Sequence, residues 1–251
     1  MEQLWIHRRA SFPHAFDRIV PDGRVQLLVN LDEDALRVWD DGAPQRMGGA
    51  MIEGAHDRPF VIDTDQQRAI LGVNLEPAGL GAWLPADEVV GLRVDLADLG
   101  MKDLRQRLLE ARDDAHRLDL TEGALVASMR SPDRDEAMAW AAERIEAGAT
   151  VGAVQERVGL SPRHFRRRFR ERVGLGPKRY GRVRRLQRLL ARLDPRRPDW
   201  AGLAWDVGFS DQAHLIREFR ALVGLRPTEY LARGADGGNH VPEGTKPSIA
   251  P

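Results

Sequence analysis

Hydrophobic and polar positions follow two different patterns along this chain, and the pattern changes near residue 100. Before that point, short runs rich in Val, Ile and Leu are separated by turn sequences such as Pro21-Asp22-Gly23. The runs are RVQLLVNL (24–31), ALRVWDD (35–41), RPFVIDT (58–64) and RAILGVNLEP (68–77). Short apolar runs between turn residues predict the β-strands of a sandwich or small barrel.

Beyond residue 100, apolar residues recur every three or four positions, which is the period of a helix. From Met101 to Met129 this pattern predicts a helix. Its apolar stripe consists of Leu104, Leu108, Ala111 and Ala115. The pattern leaves open whether this helix packs against the β-rich half or faces a partner protein.

The segment MRSPDRDE (129–136) predicts a domain boundary, with Ser131 as the N-cap of a new helix and Pro132 in its first turn. From there to Ala232 every segment is typical of a helix or of a turn between helices. Residues 234–251 are rich in Gly and Pro and predict a disordered tail. The predicted fold class is therefore α+β with two domains: a β-rich domain (1–100), a helical connector (101–130) and a helical domain (131–233).

The helical region contains an internal repeat. VGLSPRHFRRRFRERVGLGPKRY (158–180) aligns with VGFSDQAHLIREFRALVGLRPTEY (207–230), and the second copy has one extra residue just after its serine. In each copy a short helix ends at a glycine, and a serine (Ser161 or Ser210) is the expected N-cap of a second helix. That second helix has apolar residues four positions apart. This is the pattern of a helix-turn-helix, and it occurs twice.

Charge is unevenly distributed, although 38 basic and 38 acidic residues give the whole chain a net charge of zero. Residues 131–233 contain 22 lysines and arginines against 13 aspartates and glutamates, a net charge of +9, so the remainder carries −9. A basic domain beside an acidic one indicates a polyanion-binding function. The alternative is a charged helix face that only keeps the protein solvated.

Four arginines of the first repeat lie along one face of its second helix: Arg163, Arg166, Arg167 and Arg170. Like charges four positions apart repel each other by roughly 0.2–0.5 kcal/mol per pair. A helix with such a stripe can reach both guanine edges and phosphates in the major groove of DNA. The stripe therefore favours a DNA-reading helix over a merely solvated one.

The two copies resemble the double helix-turn-helix of the AraC/XylS family of bacterial transcription regulators. GLSPRHFRRRFRERVGLGPKRY matches the first unit and LAWDVGFSDQAHLIREFRALVGLRPTEYL the second, which carries the family's specific motif; the resemblance covers about 131–233. It implies two recognition helices in successive major grooves of double-stranded DNA, joined by a linker helix over about Pro177–Leu193. The buried stripe expected for that linker is Tyr180, Val183, Leu186, Leu190 and Leu193.

Carried over by position, the resemblance assigns contacts with bases and with phosphates to different side chains. Base contacts are expected from Arg163, Arg166, Arg167, Gln212, Ala213 and Arg217. Phosphate contacts are expected from Arg170, Lys178, Arg182 and Arg220. Arginine suits guanine, glutamine suits adenine, and an alanine methyl packs on thymine. One position departs from the family pattern, because Gln155 stands in the first unit where a small residue, Ala204 in the second unit, is usual.

The N-terminal half resembles, more loosely, the cupin-like barrel that precedes DNA-binding domains of this family, in VPDGRVQLLVNL, GAMIEGAHDRPFVID and ILGVNLEPAGLGAWL. In the family such a domain binds an effector or dimerises. The expected partners are therefore DNA, a small-molecule effector, a second copy of the chain and RNA polymerase. A ligand-independent regulator is the alternative: a pocket would favour sensing, and a packed barrel would favour protein contacts alone. One of Trp39 and Trp83 is the candidate pocket residue, and the alternative is a core role for both.

Enzymatic activity, a cofactor and a metal are not expected. The chain has no cysteine, whereas DNA-repair alkyltransferases with a similar module need cysteines as nucleophile and metal ligands. His7, His14 and His56 lack the His-x-His spacing of metal-binding barrels, and the carboxylates form no catalytic pattern. No run approaches the roughly 20 apolar residues of a membrane span. A cytoplasmic, nucleoid-associated location in a bacterium is expected.

Overall fold

The computed structural model describes residues 3–40, 44–130, 135–234 and 238–244. The strands within these residues are β1 (Gln3–Arg8), β2 (Phe16–Ile19), β3 (Gln26–Asn30), β4 (Leu36–Trp39), β5 (Pro44–Met47), β6 (Ala50–Glu53), β7 (Phe60–Asp63), β8 (Ala69–Asn74), β9 (Arg93–Asp95) and β10 (His240–Glu243). The α-helices are α1 (Leu104–Glu110), α2 (Asp114–Ser128), α3 (Glu136–Glu146), α4 (Val151–Val158), α5 (Pro162–Val173), α6 (Pro177–Leu190), α7 (Trp200–Val207), α8 (Gln212–Val223) and α9 (Pro227–Ala232). Short 3-10 helices lie at Asp65–Gln67, Gly79–Ala82, Ala86–Val89 and Leu96–Leu99. The predicted α+β class is confirmed.

The strands form two antiparallel sheets of a β-sandwich. The first sheet has the order β1-β8-β3-β6-β9 and the second β10-β2-β7-β4-β5. The four predicted apolar runs correspond to β3, β4, β7 and β8. Among the strands that were not predicted, β1, β2 and β5 contain more polar residues and β9 has only three residues. Alternate residues of the first sheet, such as Leu27 and Leu71, are fully buried and belong to the same hydrophobic core as the C-terminal helices.

The linker helix α6 is the central element of the C-terminal region. All five residues of its predicted stripe are buried: Tyr180, Val183, Leu186, Leu190 and Leu193. Pro177 occupies the first turn, where the missing N–H has no helical partner to lose. The helix ends at Leu190, three residues before the predicted end.

Among the described residues, no helix is long and apolar enough to cross a membrane.

Residues 101–130 form two helices instead of the single predicted one. α2 begins at Asp114, and the Asp113 carboxylate caps it by accepting a hydrogen bond from the His116 backbone N–H at 2.8 Å. Because this second helix starts in a new phase, Ala115 is exposed and does not continue the predicted stripe. Asp114 also pairs with Arg8 of β1 at 2.9 Å, so the start of α2 packs against the sandwich.

At the predicted domain boundary, the expected N-cap Ser131 and Pro132 lie outside the described residues. α3 begins at Glu136, and Asp135 is its N-cap. The Asp135 carboxylate accepts a hydrogen bond from the Met138 backbone N–H at 3.2 Å. It also forms an ion pair with Arg168 of α5 at 2.6 Å. This aspartate therefore both starts α3 and ties it to the first repeat.

The predicted disordered tail is wrong for residues 240–243, which form β10. This strand pairs with β2, and its register joins His240 to Ile19 and Glu243 to Phe16. Val241 is fully buried. The physical reason is the open edge of β2, whose backbone groups gain partners from an added strand even when that strand has few apolar residues. Residues 235–237 and 245–251 lie outside the described part of the chain.

Candidate DNA-binding surface and N-terminal cavity

The first helix-turn-helix unit consists of α4 and α5. α4 ends at Gly159, whose φ of 75° lies in the left-handed region that favours glycine. Ser161 is the N-cap of α5, as predicted, and Pro162 occupies the first turn. Gln155, the departure from the family pattern, donates from Nε2 to the carbonyl oxygen of Leu160. Its long side chain therefore hydrogen-bonds to the turn between the two helices.

The second unit consists of α7 and α8. The N-cap of α8 is Asp211, so the prediction of Ser210 is wrong by one residue. The Asp211 carboxylate accepts a hydrogen bond from the His214 backbone N–H at 2.6 Å, and this bond contributes to lowering the pKa of Asp211. The extra residue that follows Ser210 in this copy explains the shift of the cap. The half-buried His214 contacts Ser210 Oγ through Nδ1 at 3.1 Å.

Aromatic contacts hold both recognition helices against the core. Phe169 of α5 is fully buried, and its ring centre lies 5.7 Å from that of Tyr180 on α6. In the second unit, the Phe219 ring of α8 lies 5.4 Å from the Tyr230 ring of α9. Because one face of each recognition helix packs inward, the opposite face points to solvent.

The six candidate base-contacting residues are all exposed: Arg163, Arg166, Arg167, Gln212, Ala213 and Arg217. They lie in the N-terminal halves of α5 and α8, the part of a recognition helix that meets base edges in helix-turn-helix proteins. Arg167 Nε lies 3.8 Å from Glu171 on the same helix. A surface contact of this kind contributes little free energy. Contact of the six residues with bases stays a prediction.

The four candidate phosphate-contacting residues fall into two groups. Arg170 lies 3.2 Å from the Asp87 carboxylate, and Arg182 Nε lies 2.6 Å from that of Glu218. The second pair joins α6 to α8 and orients the second recognition helix. Lys178 and Arg220 are exposed. The phosphate contacts also stay a prediction, and two of the four side chains already bind a carboxylate within the chain.

The acidic and basic halves of the chain contact each other through ion pairs. α5 packs against the 3-10 helix Ala86–Val89, which carries the Asp87 partner of Arg170. Arg179 of α6 binds Asp57 at 2.6 Å. Arg170 thus lies both on the first recognition helix and in the contact between the two halves.

A cavity of about 730 Å³ lies between the two sheets. Volumes of roughly 300–1,000 Å³ are typical of small-molecule sites. Its apolar lining includes Trp5, Leu28 and Met51 from the first sheet and Phe60 from the second. The indole ring of Trp5 lies over Gly72, its partner on the adjacent strand β8. A Cβ atom at position 72 would lie 2.1 Å from this ring, so the arrangement requires glycine.

A row of polar side chains crosses the first sheet and lines the cavity. The four residues are paired across the adjacent strands β1, β8, β3 and β6, and in that order they are Gln3, Asn74, Gln26 and Glu53. The amide oxygen of Asn74 is buried, with no hydrogen-bond partner among the described residues. Burial raises the pKa of Glu53. The charges of His56 and Arg93 lower it, but they offset the effect of burial only in part. The cavity therefore combines an apolar middle with hydrogen-bonding groups.

Asp17 lies at the cavity between two histidines. Its carboxylate oxygens lie 2.6 Å from His14 Nε2 and 3.2 Å from His240 Nδ1. Burial alone would raise the pKa of Asp17, but the hydrogen bonds and charges of His240 and His14 outweigh it and lower the pKa. His240 belongs to β10, so the C-terminal strand is part of the cavity wall. In the described ranges, no group of three or more His, Cys, Asp or Glu side chains is placed to hold a metal ion.

Sequence reasoning missed most of the residues that line this cavity. The candidates Trp39 and Trp83 are both core residues and do not line it, whereas Trp5 does. Once β1 is known to be a strand, the two-residue spacing of Gln3, Trp5 and His7 places all three on the face that lines the cavity, since alternate residues of a strand share one face.

Comparisons with known proteins match both halves. Residues 154–233 match the family described as a helix-turn-helix domain, and residues 1–90 match a domain of unknown function, DUF6597. No curated protein sequence matches the chain. The fold is similar to that of ToxT from Vibrio cholerae O395, with a TM-score of 0.50 and 10% identity, over 92% of this chain and 96% of that one.

Two further solved structures are similar at lower TM-scores. ToxT from Vibrio cholerae strain SCE256, with an unsaturated fatty acid bound, gives 0.47 at 8% identity over 91% of this chain and 93% of that one. The xylose-binding transcription activator XylR gives 0.33 at 21% identity over 42% and 28%. Similarity at these identities concerns the fold alone. The two family matches, with the paired helix-turn-helix units described above, give this chain a C-terminal helix-turn-helix domain and an N-terminal DUF6597 domain.

Proposed function

We propose that this chain is an AraC-type transcription regulator, that it binds a two-part DNA site through α5 and α8, and that a small molecule in the N-terminal cavity controls the binding. Residues 131–233 form the DNA-binding part, 101–130 the connector, and 1–100 the sensing part, to which β10 is added. The observation that carries the proposal is the exposure of equivalent faces of α5 and α8 on either side of one buried linker helix.

The dimensions of the linker support two successive major grooves. The 14 residues of α6 span about 21 Å at roughly 1.5 Å per residue. The diameter of one further helix of a helix-turn-helix unit adds about 10 Å. The total approaches the roughly 34 Å that separates successive major-groove faces on one side of B-DNA.

The cavity supports an effector over the alternative of a ligand-independent regulator. A sandwich that served only for protein contacts would be expected to have a packed interior, whereas this one contains a cavity of about 730 Å³ that is open to solvent. Its lining contains both apolar and polar side chains and therefore fits a small molecule that has apolar and polar parts.

Selection of bound duplexes from a random DNA pool, with the full-length protein at two salt concentrations, tests the DNA-binding part. We expect a motif of two halves separated by about one helical turn, roughly 10 base pairs. Binding should weaken as salt rises, because phosphate contacts release counterions. Salt-sensitive binding without any enriched motif would contradict the proposal and indicate a general polyanion surface.

Replacing Asp87 with asparagine should strengthen DNA binding, because Arg170 is then released from its carboxylate partner and becomes available for a phosphate. The Arg170 side chain is 60% exposed, although that of Asp87 is only 19% exposed, so we expect a gain of up to about 1 kcal/mol, roughly fivefold in affinity. Asp57→Asn is the matched control, since it removes the Arg179 partner at the same contact between the halves. Equal gains from both variants would show that loosening the two halves, and not Arg170, is the cause.

A further inference from the structure

We infer that the C-terminal strand β10 is part of the effector site and links the cavity to the second helix-turn-helix unit. This inference rests on the proposed effector cavity. It concerns a strand that follows the DNA-binding region in sequence but completes the N-terminal sandwich in space.

One side of β10 faces the cavity. His240 and Pro242, two positions apart, line it together with Gly234 just after α9. His240 also contacts Asp17, which His14 holds from the other side. A molecule in the cavity would therefore touch β10 directly.

The other side of β10 packs against the rest of the protein, through Val241 and Glu243. Val241 is fully buried. The Glu243 carboxylate binds Arg18 of β2 at 2.5 Å and also pairs with Arg233, the residue that follows α9. Because alternate residues of a strand point to opposite faces, one short strand carries both sets of contacts.

Contacts just before β10 reach the linker helix and α9. Gln187 of α6 donates to the side-chain oxygen of Asn239 at 2.8 Å, and Tyr230 of α9 donates to the Gly238 carbonyl at 3.0 Å. Tyr230 in turn packs against Phe219 of the second recognition helix. A ligand that shifts β10 thus acts on a continuous set of packed groups that ends at α8.

The absence of cysteine from the chain allows a covalent substitute for the unidentified effector. Leu28→Cys places a single thiol on the cavity wall, and hexyl methanethiosulfonate then attaches an apolar chain there through a disulfide, with methanesulfinate as the leaving group. Gln45→Cys, on the exposed strand β5, is the matched control for the same reagent. The readout is the affinity for the selected duplex, with each half of the motif scrambled in turn.

Two variants break the link to different degrees. One lacks residues 238–251 and so removes β10. The other, Glu243→Gln, keeps the strand but removes the charge that binds Arg18 and Arg233. The point variant keeps the test valid if the shortened chain does not fold.

With β10 intact, we expect the modified Leu28→Cys protein to change its DNA affinity by about fivefold or more, through the second half of the motif, as site-to-site coupling commonly does. In both link variants the change should fall below about twofold. An undiminished response in the link variants would overturn the inference while leaving effector control in place. No response in any protein would overturn the inference and the effector proposal together, whereas the DNA-binding proposal is decided separately by the duplex selection.

Discussion

Replacing both Arg166 and Arg167 with alanine is expected to weaken binding to the selected duplex by about 1–3 kcal/mol for each arginine–base interaction that the change removes. Both side chains are exposed on α5, and the helix is held from behind by buried Phe165 and Phe169. Truncating them should therefore affect the interaction with DNA and leave the fold unchanged. Titration of the labelled duplex at constant salt measures the effect, and thermal unfolding checks the fold.

The double variant Arg144→Ala/Arg192→Ala is the matched control. It removes the same charge from exposed positions in the same region, outside both recognition helices. We expect it to weaken binding only through the general reduction of positive charge, and equally for specific and random DNA. An equal decrease of specific affinity in the control and in the recognition-helix variant would contradict the assignment of base contacts.

Replacing Phe169 with alanine is expected to destabilise the C-terminal region by about 3–5 kcal/mol, the usual cost of truncating a fully buried phenylalanine. Its ring is completely buried and packs against both Phe165 and Tyr180, so the change opens a cavity between α5 and α6. Amide hydrogen exchange in these two helices is the suitable measurement, because a chain of two domains does not generally unfold in one step.

Trp205→Ala is the control for this second prediction. Trp205 is also a large aromatic residue of the C-terminal region, but it is 83% exposed. Its removal should change the free energy of unfolding by less than about 0.5 kcal/mol. A destabilisation below about 1 kcal/mol for Phe169→Ala would mean that the ring does not hold the first recognition helix against the linker.

The helical half was largely predictable because its determinants are local. Gly159, Ser161 and Pro162 each act within one turn of the helix end that they define. The buried stripe of α6 follows directly from the helical period. Even here a local detail was missed: the sequence predicts Ser210 as the N-cap of α8, whereas the next residue, Asp211, caps it.

The cavity and the C-terminal strand were less predictable because they depend on contacts between distant parts of the chain. Gln3, Asn74 and Glu53 lie close together only through the register of four strands, and no short segment contains that information. In the same way, β10 forms because β2, more than 200 residues earlier, offers an open edge. The composition of the tail, rich in Gly and Pro, favours disorder when the segment is considered alone.

The central claim is that two recognition helices read two separate halves of one DNA site, and the most direct measurement is to repeat the duplex selection with a variant of each helix. We predict that Arg166→Ala/Arg167→Ala abolishes base preference in one half of the motif only. Gln212→Ala/Arg217→Ala should abolish it in the other half only. Disappearance of the preference in both halves with either variant, or in neither half, would contradict the claim.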